Sequence, residues 1–230
     1  VYAPNTASAL SAEGQPIPTY ATRLPTNTEL TFRLLRGSRE GKARLNWSTA
    51  QGQYEASLQG QLEGGPGFEW RSEGEIDSAG IAPGRFVARQ QGRGAQAVNL
   101  HRDQARVSFS GAVGHAPWVP GTQDRLSWML QLSAVLNAAP ERASPGQKVV
   151  MWIVGPRGEA WPWVFESRGP LKLPLPDGGE ISTVHWVRLP TRRFDTAAEI
   201  WLDPSRQYLP VRLSMRPTGE GQGLELWRLE

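Results

Sequence analysis

The chain has 230 residues, a formal net charge of +3 and no cysteine. Its 25 glycines and 19 prolines predict frequent turns and few long helices, and its weak, dispersed charge excludes the clustered basic face of a nucleic-acid binder. Without cysteine, the chain has no disulfide, no thiol nucleophile and no zinc site with cysteine ligands.

The sequence begins with Val1 and has no run of about 18 apolar residues. We therefore expect any signal peptide or membrane tether to precede residue 1. Residues 1–19 are rich in Ala, Ser, Thr and Pro without periodicity, which predicts a linker or a loosely attached arm. Residues 20–230 are expected to form a single β-rich domain.

Alternating apolar and polar residues predict strands from residue 29 onward. The alternation is clear at 30–34, and it recurs at 43–48 and 54–59. Stretches rich in glycine and proline, such as GGPG at 64–67, separate these segments and predict tight turns. The first half of the chain is therefore expected to form a meander of antiparallel strands with one buried face.

The segment 119–140, VPGTQDRLSWMLQLSAVLNAAP, predicts one long helix. Thr122 is the expected N-cap, Asp124 lies in the first turn, where a carboxylate complements the helix dipole, and Pro140 is expected to end the helix. Large apolar side chains surround most of the axis, so we expect the sheet to bury this helix. These side chains are Leu126, Trp128, Met129, Leu130, Leu132, Val135 and Leu136.

Strand patterns resume after the helix. The apolar run at 148–155 is typical of a strand covered on both faces, and alternating segments follow at 158–167 and 180–190. Residues 197–215 predict a hairpin with its turn at 203–207. We expect about a dozen strands in all. The predicted fold is mainly β, with a strongly curved antiparallel sheet or incomplete β-barrel wrapped around one long buried helix.

Four segments are distinctive beyond their periodicity: GIAPGRF at 80–86, PGTQDRLSWMLQLSAVL at 120–136, PG at 145–146 and IWLDPSRQYLPVRLSM at 200–215. Together they resemble a bacterial envelope family known as domain of unknown function 3108, over about 60–226. The resemblance implies an exported or membrane-tethered protein, hence a periplasmic location, and it implies no reaction. A more remote similarity of fold, to periplasmic lipoprotein carriers, implies that acyl chains bind in the concave face of the sheet.

No catalytic constellation is visible in the sequence. His101, His115 and His185 are far apart and lack ligand spacing, and the strand position of His185 predicts a packed barrel residue rather than a base. The His-Arg-Asp triplet at 101–103 lacks the glycine loop, strand lysine and downstream asparagine of a kinase, and no G-x-S-x-G elbow is present. We therefore expect no enzyme, no metal site and no cofactor.

The candidate ligand-binding residues lie near the start of the predicted helix: Arg125, Trp128, Met129 and Leu132. Arg125 either pairs with a carboxylate or with strand carbonyls, or it meets the phosphate or carboxylate of a ligand at the mouth of a cavity. The other three side chains either pack in the core or line a groove for an acyl chain.

These observations predict a non-catalytic protein of the periplasm or cell envelope that binds a lipid or another hydrophobic molecule in the concave face of the sheet. The alternative is a structural or interaction module with a filled core, whose outer surface or sheet edge binds another envelope protein. A carrier requires an apolar cavity of at least about 300 Å³, whereas an interaction module requires an exposed apolar patch or an open edge.

Overall fold

A computed structural model of the chain describes residues 14–175, 178–193, 195–219 and 221–229. In these residues 15 strands form one sheet, accompanied by one α-helix and three short 3₁₀ helices. The prediction of a mainly β protein is confirmed, with more strands than the expected dozen.

The elements form two runs of strands with the helix between them. The first run comprises β1 (Thr28–Arg36), β2 (Arg39–Ala50), β3 (Gln53–Leu62), β4 (Phe68–Asp77), β5 (Gly80–Gln90), β6 (Gln96–His101), β7 (Arg106–Phe109) and β8 (His115–Pro117). The second part comprises β9 (Gln123–Asp124), α1 (Ser127–Ala138), β10 (Lys148–Val154), β11 (Ala160–Pro174), β12 (Glu180–Arg188), β13 (Thr196–Asp203), β14 (Leu209–Pro217) and β15 (Leu224–Arg228). The 3₁₀ helices are Arg102–Gln104, Pro140–Ala143 and Pro204–Arg206.

The sheet consists of two antiparallel meanders that meet at the first and last strands. β1 to β8 pair in sequence order, β10 to β15 do the same, and β1 pairs with β15. The short strand β9 adds to β10 in parallel orientation. The sheet is not closed, because β8 and β9 remain as its two edges.

Side chains bridge the gap that strand pairing leaves open. Trp152 on β10 donates from Nε1 to the backbone oxygen of Pro117 on β8 at 3.1 Å. Gln123 on β9 donates from Nε2 to the backbone oxygen of Ile81 on β5 at 2.6 Å. The sheet therefore curves back on itself until side chains of one half reach backbone oxygens of the other.

Bulges contribute to this curvature. The strand pairing shifts register between Glu73 and Gly74 of β4, and again between Trp201 and Leu202 of β13. An extra residue in one strand bends that strand and increases its twist. A Cβ at Gly74 would lie 2.3 Å from the backbone oxygen of Ala82, so this close approach of β4 to β5 requires glycine.

The helix α1 belongs to the core of the protein. Eleven of its 12 residues are buried, and it contacts β5, β9, β10 and β14. Trp128 stacks on Phe165 of β11 with ring centroids 4.8 Å apart, and neither ring is exposed to solvent. The predicted burial of the helix is therefore observed.

The polar side chains of α1 bond to strands and turns rather than to water. Gln131 accepts a hydrogen bond from the amide of Ile81 at 2.9 Å and donates to the backbone oxygen of Ala79 at 2.6 Å. Ser133 donates to the backbone oxygen of Tyr208 at 2.7 Å. Because these groups are satisfied inside the protein, the helix needs no polar face toward solvent.

The prediction of a long helix is wrong. α1 begins at Ser127, rather than just after Thr122, and ends at Ala138. The reason is that Asp124 forms part of β9 and its carboxylate Oδ1 accepts from the amides of Leu126 at 2.7 Å and Ser127 at 2.8 Å. These amides have no partner inside the helix, so Asp124 takes the capping role that was expected of Thr122.

Asp124 lies at one end of a buried series of hydrogen-bonded side chains. It is fully buried, and its Oδ2 accepts from the hydroxyl of Ser72 at 2.5 Å. The Ser72 oxygen lies 2.6 Å from the hydroxyl of Tyr54. Burial raises the pKa of Asp124 to about 6, while the hydrogen bonds from Ser72 and the two backbone amides act in the opposite direction.

The segment before β1 packs on the core. Residues 1–13 of the predicted linker 1–19 lie outside the described residues. Ile17 packs against the main apolar cluster, and the Tyr20 hydroxyl accepts from the amide of Val150 at 2.8 Å. That contact satisfies a backbone amide on the part of β10 that β9 does not reach.

Trp128→Ala is expected to lower the free energy of unfolding by about 3–5 kcal/mol, because it removes a fully buried indole and leaves a cavity. Chemical denaturation followed by far-ultraviolet circular dichroism measures the change. Leu189→Ala is the control, since this leucine is 62% exposed, and its loss is expected to change stability by less than about 0.5 kcal/mol. Similar small losses in both variants would contradict the packing of α1.

Asp124 is expected to make stability depend on pH. Because its pKa is raised in the folded state, the folded protein binds more protons than the unfolded chain between about pH 4 and 6. Its contribution to the free energy of unfolding therefore falls, by about 3 kcal/mol, as the pH rises through this window. Asp124→Asn is expected to abolish this dependence and the exposed control Asp103→Asn to retain it. Parallel profiles of the wild type and Asp124→Asn would contradict the prediction.

Candidate functional site

One mouth of the curved sheet opens into a cavity of about 650 Å³. The ends of β4, β5, β14 and β15 line it, together with the β5–β6 turn and the loop after β10. Trp70 lies opposite Leu58 and Ala88 in the strand register, so these wall residues belong to the inner face of the sheet. The apolar wall consists of Phe68, Trp70, Phe86, Ala88, Met215 and Leu224.

Three aromatic rings form a continuous part of this wall. The ring centroids of Phe68 and Trp70 are 5.8 Å apart, and those of Trp70 and Phe86 are 6.3 Å apart. Phe68 lies directly over Gly60 of β3, where a Cβ would come within 2.2 Å of the phenyl ring. The glycine therefore makes room for the first ring of the wall.

The polar lining of the cavity is strongly basic. Glu159 is the single carboxylate among its described lining residues, against five guanidinium groups. Arginine pairs well with phosphate and carboxylate oxygens, so a cavity with this lining attracts anions. The five arginines are Arg36, Arg89, Arg93, Arg125 and Arg157.

Arg125 lies between the cavity and the helix, two residues before α1. Its Nη2 donates to Oε1 of Glu159 at 3.2 Å, and its guanidinium carbon lies 4.9 Å from the ring centroid of Trp163. The side chain is only 14% exposed. Burial lowers the pKa of Arg125, and the charge and hydrogen bond of Glu159 oppose that shift.

A second arginine supports Trp163 beneath this site. Arg188 lies 4.6 Å from the Trp163 centroid and forms a buried ion pair with Asp195 at 2.6 Å. Glu159, Arg125, Trp163, Arg188 and Asp195 thus form a charged and aromatic layer under the cavity. Such buried charges are tolerated because each guanidinium has a carboxylate partner.

The structure separates the four residues predicted to bind a ligand. Arg125 lines the cavity. Trp128, Met129 and Leu132 are each 1% exposed or less, and they line none of the three hollows described in these residues. Their placement matches core packing, the other interpretation that the sequence left open.

The aromatic wall and most of the arginines were not among the predicted site residues. Phe68 and Trp70 were visible only as apolar residues of a strand, and their spacing of two is a signal that they share a face. The arginines are spread from Arg36 to Arg157 in the sequence. Only the pairing of distant strands brings them to one mouth.

The histidines lie away from this cavity. His185 stacks on Trp201 with ring centroids 4.3 Å apart, and its Nε2 lies 3.1 Å from Oε2 of Glu199, as expected of a packed strand residue. His101 bonds to Ser108 at 2.9 Å. Within the described residues, no group of three or more His, Asp or Glu side chains is placed to hold a metal ion.

Comparison with known protein families identifies the family of this chain. A model of a protein family of unknown function, DUF3108, matches residues 28–222. The chain belongs to the DUF3108 family. This confirms the resemblance seen in the sequence, and no curated protein matches the chain.

A solved structure shares the fold of this DUF3108 chain. It is the crystal structure of a β-barrel-like protein of domain of unknown function DUF1849 from Brucella abortus, with a TM-score of 0.58 and 10% sequence identity. The alignment covers 91% of this chain and 98% of that chain. At this identity the likeness shows the fold alone. In the described part of the DUF3108 chain, no helix has the length and apolarity needed to span a membrane.

Arg125→Gln is expected to lower the free energy of unfolding by about 1–3 kcal/mol, because it removes the cation from Trp163 and a donor from Glu159. Arg125→Lys keeps the charge without the planar fork and is expected to give an intermediate loss. Arg36→Gln is the control, since Arg36 lines the same cavity and has no side-chain partner among the described residues. Thermal and chemical denaturation measure these changes, and equal losses for Arg125→Gln and Arg36→Gln would contradict the role of Arg125.

Proposed function

We propose that this protein is a non-catalytic component of the bacterial cell envelope, located in the periplasm, that binds a lipid or another hydrophobic molecule. The ligand occupies the arginine-lined cavity at the mouth of the sheet. The observation that carries the proposal is a cavity of about 650 Å³ with three aromatic rings on its wall. Ligand sites typically have volumes of about 300–1,000 Å³ and predominantly apolar linings.

We distinguish two parts of the interior of the sheet, namely the cavity at its mouth and a deeper part. In this proposal the sheet wraps around the short helix α1, whose buried side chains fill the deeper part. The ligand then contacts the wall formed by Phe68 and Trp70, and Arg125 lies below it. Trp128 supports the floor through Trp163, since their ring centroids lie 5.9 Å apart, instead of touching the ligand. A hydrophobic molecule gains about 25 cal/mol for each Å² of apolar surface that it removes from water.

The proposal includes no reaction and no cofactor. A general acid or base requires a titratable group free to meet a substrate. The single carboxylate of the cavity lining, Glu159, is hydrogen bonded to Arg125 and accepts from the amide of Arg157 at 2.8 Å. No histidine is part of the described lining.

An envelope interaction module is the second candidate. The observations that favour it are the filled core around α1 and the two open edges of the sheet. Both edges are short, because β8 has three residues and β9 has two, and short edges offer few backbone groups to a partner strand. The large exposed apolar side chains are scattered along the chain, at Val113, Leu171, Leu189 and Leu229.

The uncharged fluorescent probe N-phenyl-1-naphthylamine is expected to bind the wild-type protein at one site with micromolar affinity. Ala88→Phe is expected to weaken binding by about tenfold or more, because the added ring occupies the cavity opposite Trp70. Fluorescence titration measures the affinity. Ala50→Phe adds the same ring at an exposed strand end and is expected to bind the probe like the wild type.

Failure of the wild type to bind the probe would contradict the proposal. Equal binding by the two variants would also contradict it, because the probe would then lie outside the cavity.

A further inference from the structure

The arginines around the cavity differ in whether a carboxylate balances them. Arg125 pairs with Glu159 at 3.2 Å, and Arg89 pairs with Glu69 at 3.0 Å. These two guanidinium groups are therefore already paired with carboxylates of the protein.

Three lining arginines have no such partner among the described residues. The side chains of Arg36, Arg93 and Arg157 form no hydrogen bond, ion pair or ring contact within the described residues. They come from three separate places in the chain, namely the end of β1, the β5–β6 turn and the loop after β10. Arg36 is half-buried, and the other two are exposed. The fold thus brings together three cations whose donors are free to bind a ligand.

The chemistry of these three side chains favours a phosphate group. A phosphate monoester carries a charge close to −2 and three strong acceptor oxygens at neutral pH. Several guanidinium forks can therefore bind it at once, and an arginine–phosphate pair is frequently bidentate. A neutral or zwitterionic head group offers less net charge to the same three cations.

The size of the cavity limits the apolar part of the ligand. A methylene group occupies about 30 Å³, close to the volume per molecule in liquid water. The cavity of about 650 Å³ therefore holds about 20 such groups. One long acyl chain and part of a head group fit this space. Two chains of about 16 carbons each would need about 960 Å³ at the same volume per methylene.

We propose that the ligand is an amphiphile with one acyl chain and a phosphate monoester head group. Arg36, Arg93 and Arg157 bind the phosphate at the mouth, and the chain lies against the wall of Phe68 and Trp70. This inference rests on the proposed function, to which it adds the charge and the chain number of the ligand.

Isothermal titration calorimetry on the wild-type protein tests the inference with four probes. They are palmitoyl lysophosphatidic acid, palmitoyl lysophosphatidylcholine, monopalmitoylglycerol and inorganic phosphate, with the lipids kept below their critical micelle concentrations. The first is expected to bind at one site and about tenfold or more tighter than the other three. This difference in affinity is expected to become smaller as the salt concentration rises, because salt screens exposed charges.

A triple variant tests whether the three unpaired arginines bind the phosphate group. Arg36→Gln, Arg93→Gln and Arg157→Gln together are expected to weaken lysophosphatidic acid binding by about tenfold or more and to leave monopalmitoylglycerol binding unchanged. Arg44→Gln, Arg85→Gln and Arg206→Gln together remove the same charge at exposed positions outside this cavity. This control variant is expected to bind lysophosphatidic acid like the wild type.

Each other outcome overturns the inference in a distinguishable way. Equal affinity for the three lipids would overturn the phosphate assignment and leave the proposed function standing. Inorganic phosphate binding as tight as that of lysophosphatidic acid would replace the amphiphile by a free anion. Binding of none of the lipids would overturn the proposed function as well. An equal loss in the two triple variants would assign the effect to overall charge rather than to the cavity.

Discussion

The buried carboxylate of Asp124 is the interaction on which the rest of the interior depends. One of its oxygens accepts from the amides of Leu126 and Ser127 and so fixes where α1 begins. The other oxygen accepts from Ser72 on β4, which ties the start of the helix to the opposite wall of the sheet. Arg125 follows Asp124 in the sequence, so the same anchor also holds the guanidinium at the floor of the cavity. A buried, satisfied polar network of this kind defines one arrangement of the core.

The boundary between core and cavity follows from that anchor. Below it, the apolar side chains of α1 pack against the sheet, and Gln131 and Ser133 donate to the backbone oxygens of turn residues. Above it lies the charged layer that holds Trp163 between Arg125 and Arg188. The charges of this layer are paired, whereas the lining above it carries charges with no partner among the described residues. The charged groups that support the cavity are therefore engaged with one another, and among the described residues the unpaired donors lie at its mouth.

Local patterns in the sequence predict much of the fold but little of the site. Period-two alternation identifies the strands, and the apolar faces of 126–136 identify a buried helix, because both signals depend on neighbouring residues alone. The start of the helix was misplaced because Thr122 and Asp124 are both good caps, and the choice between them depends on Ser72, which is distant in sequence. The convergence of five arginines depends on the pairing of β1 with β15. Whether an apolar side chain lines a void or fills the core depends on packing, which no local pattern encodes, as Trp70 and Trp128 illustrate.

Native mass spectrometry of the protein, purified gently from its own cell envelope and followed by organic extraction of the bound material, tests the central claim most directly. The account predicts one lipid adduct for each protein molecule, and it predicts that the same purification of Ala88→Phe, whose cavity is occupied by its own side chain, yields no adduct. A mass without adduct for the wild type, under conditions in which a known lipid carrier retains its lipid, would contradict the account and favour the interaction module.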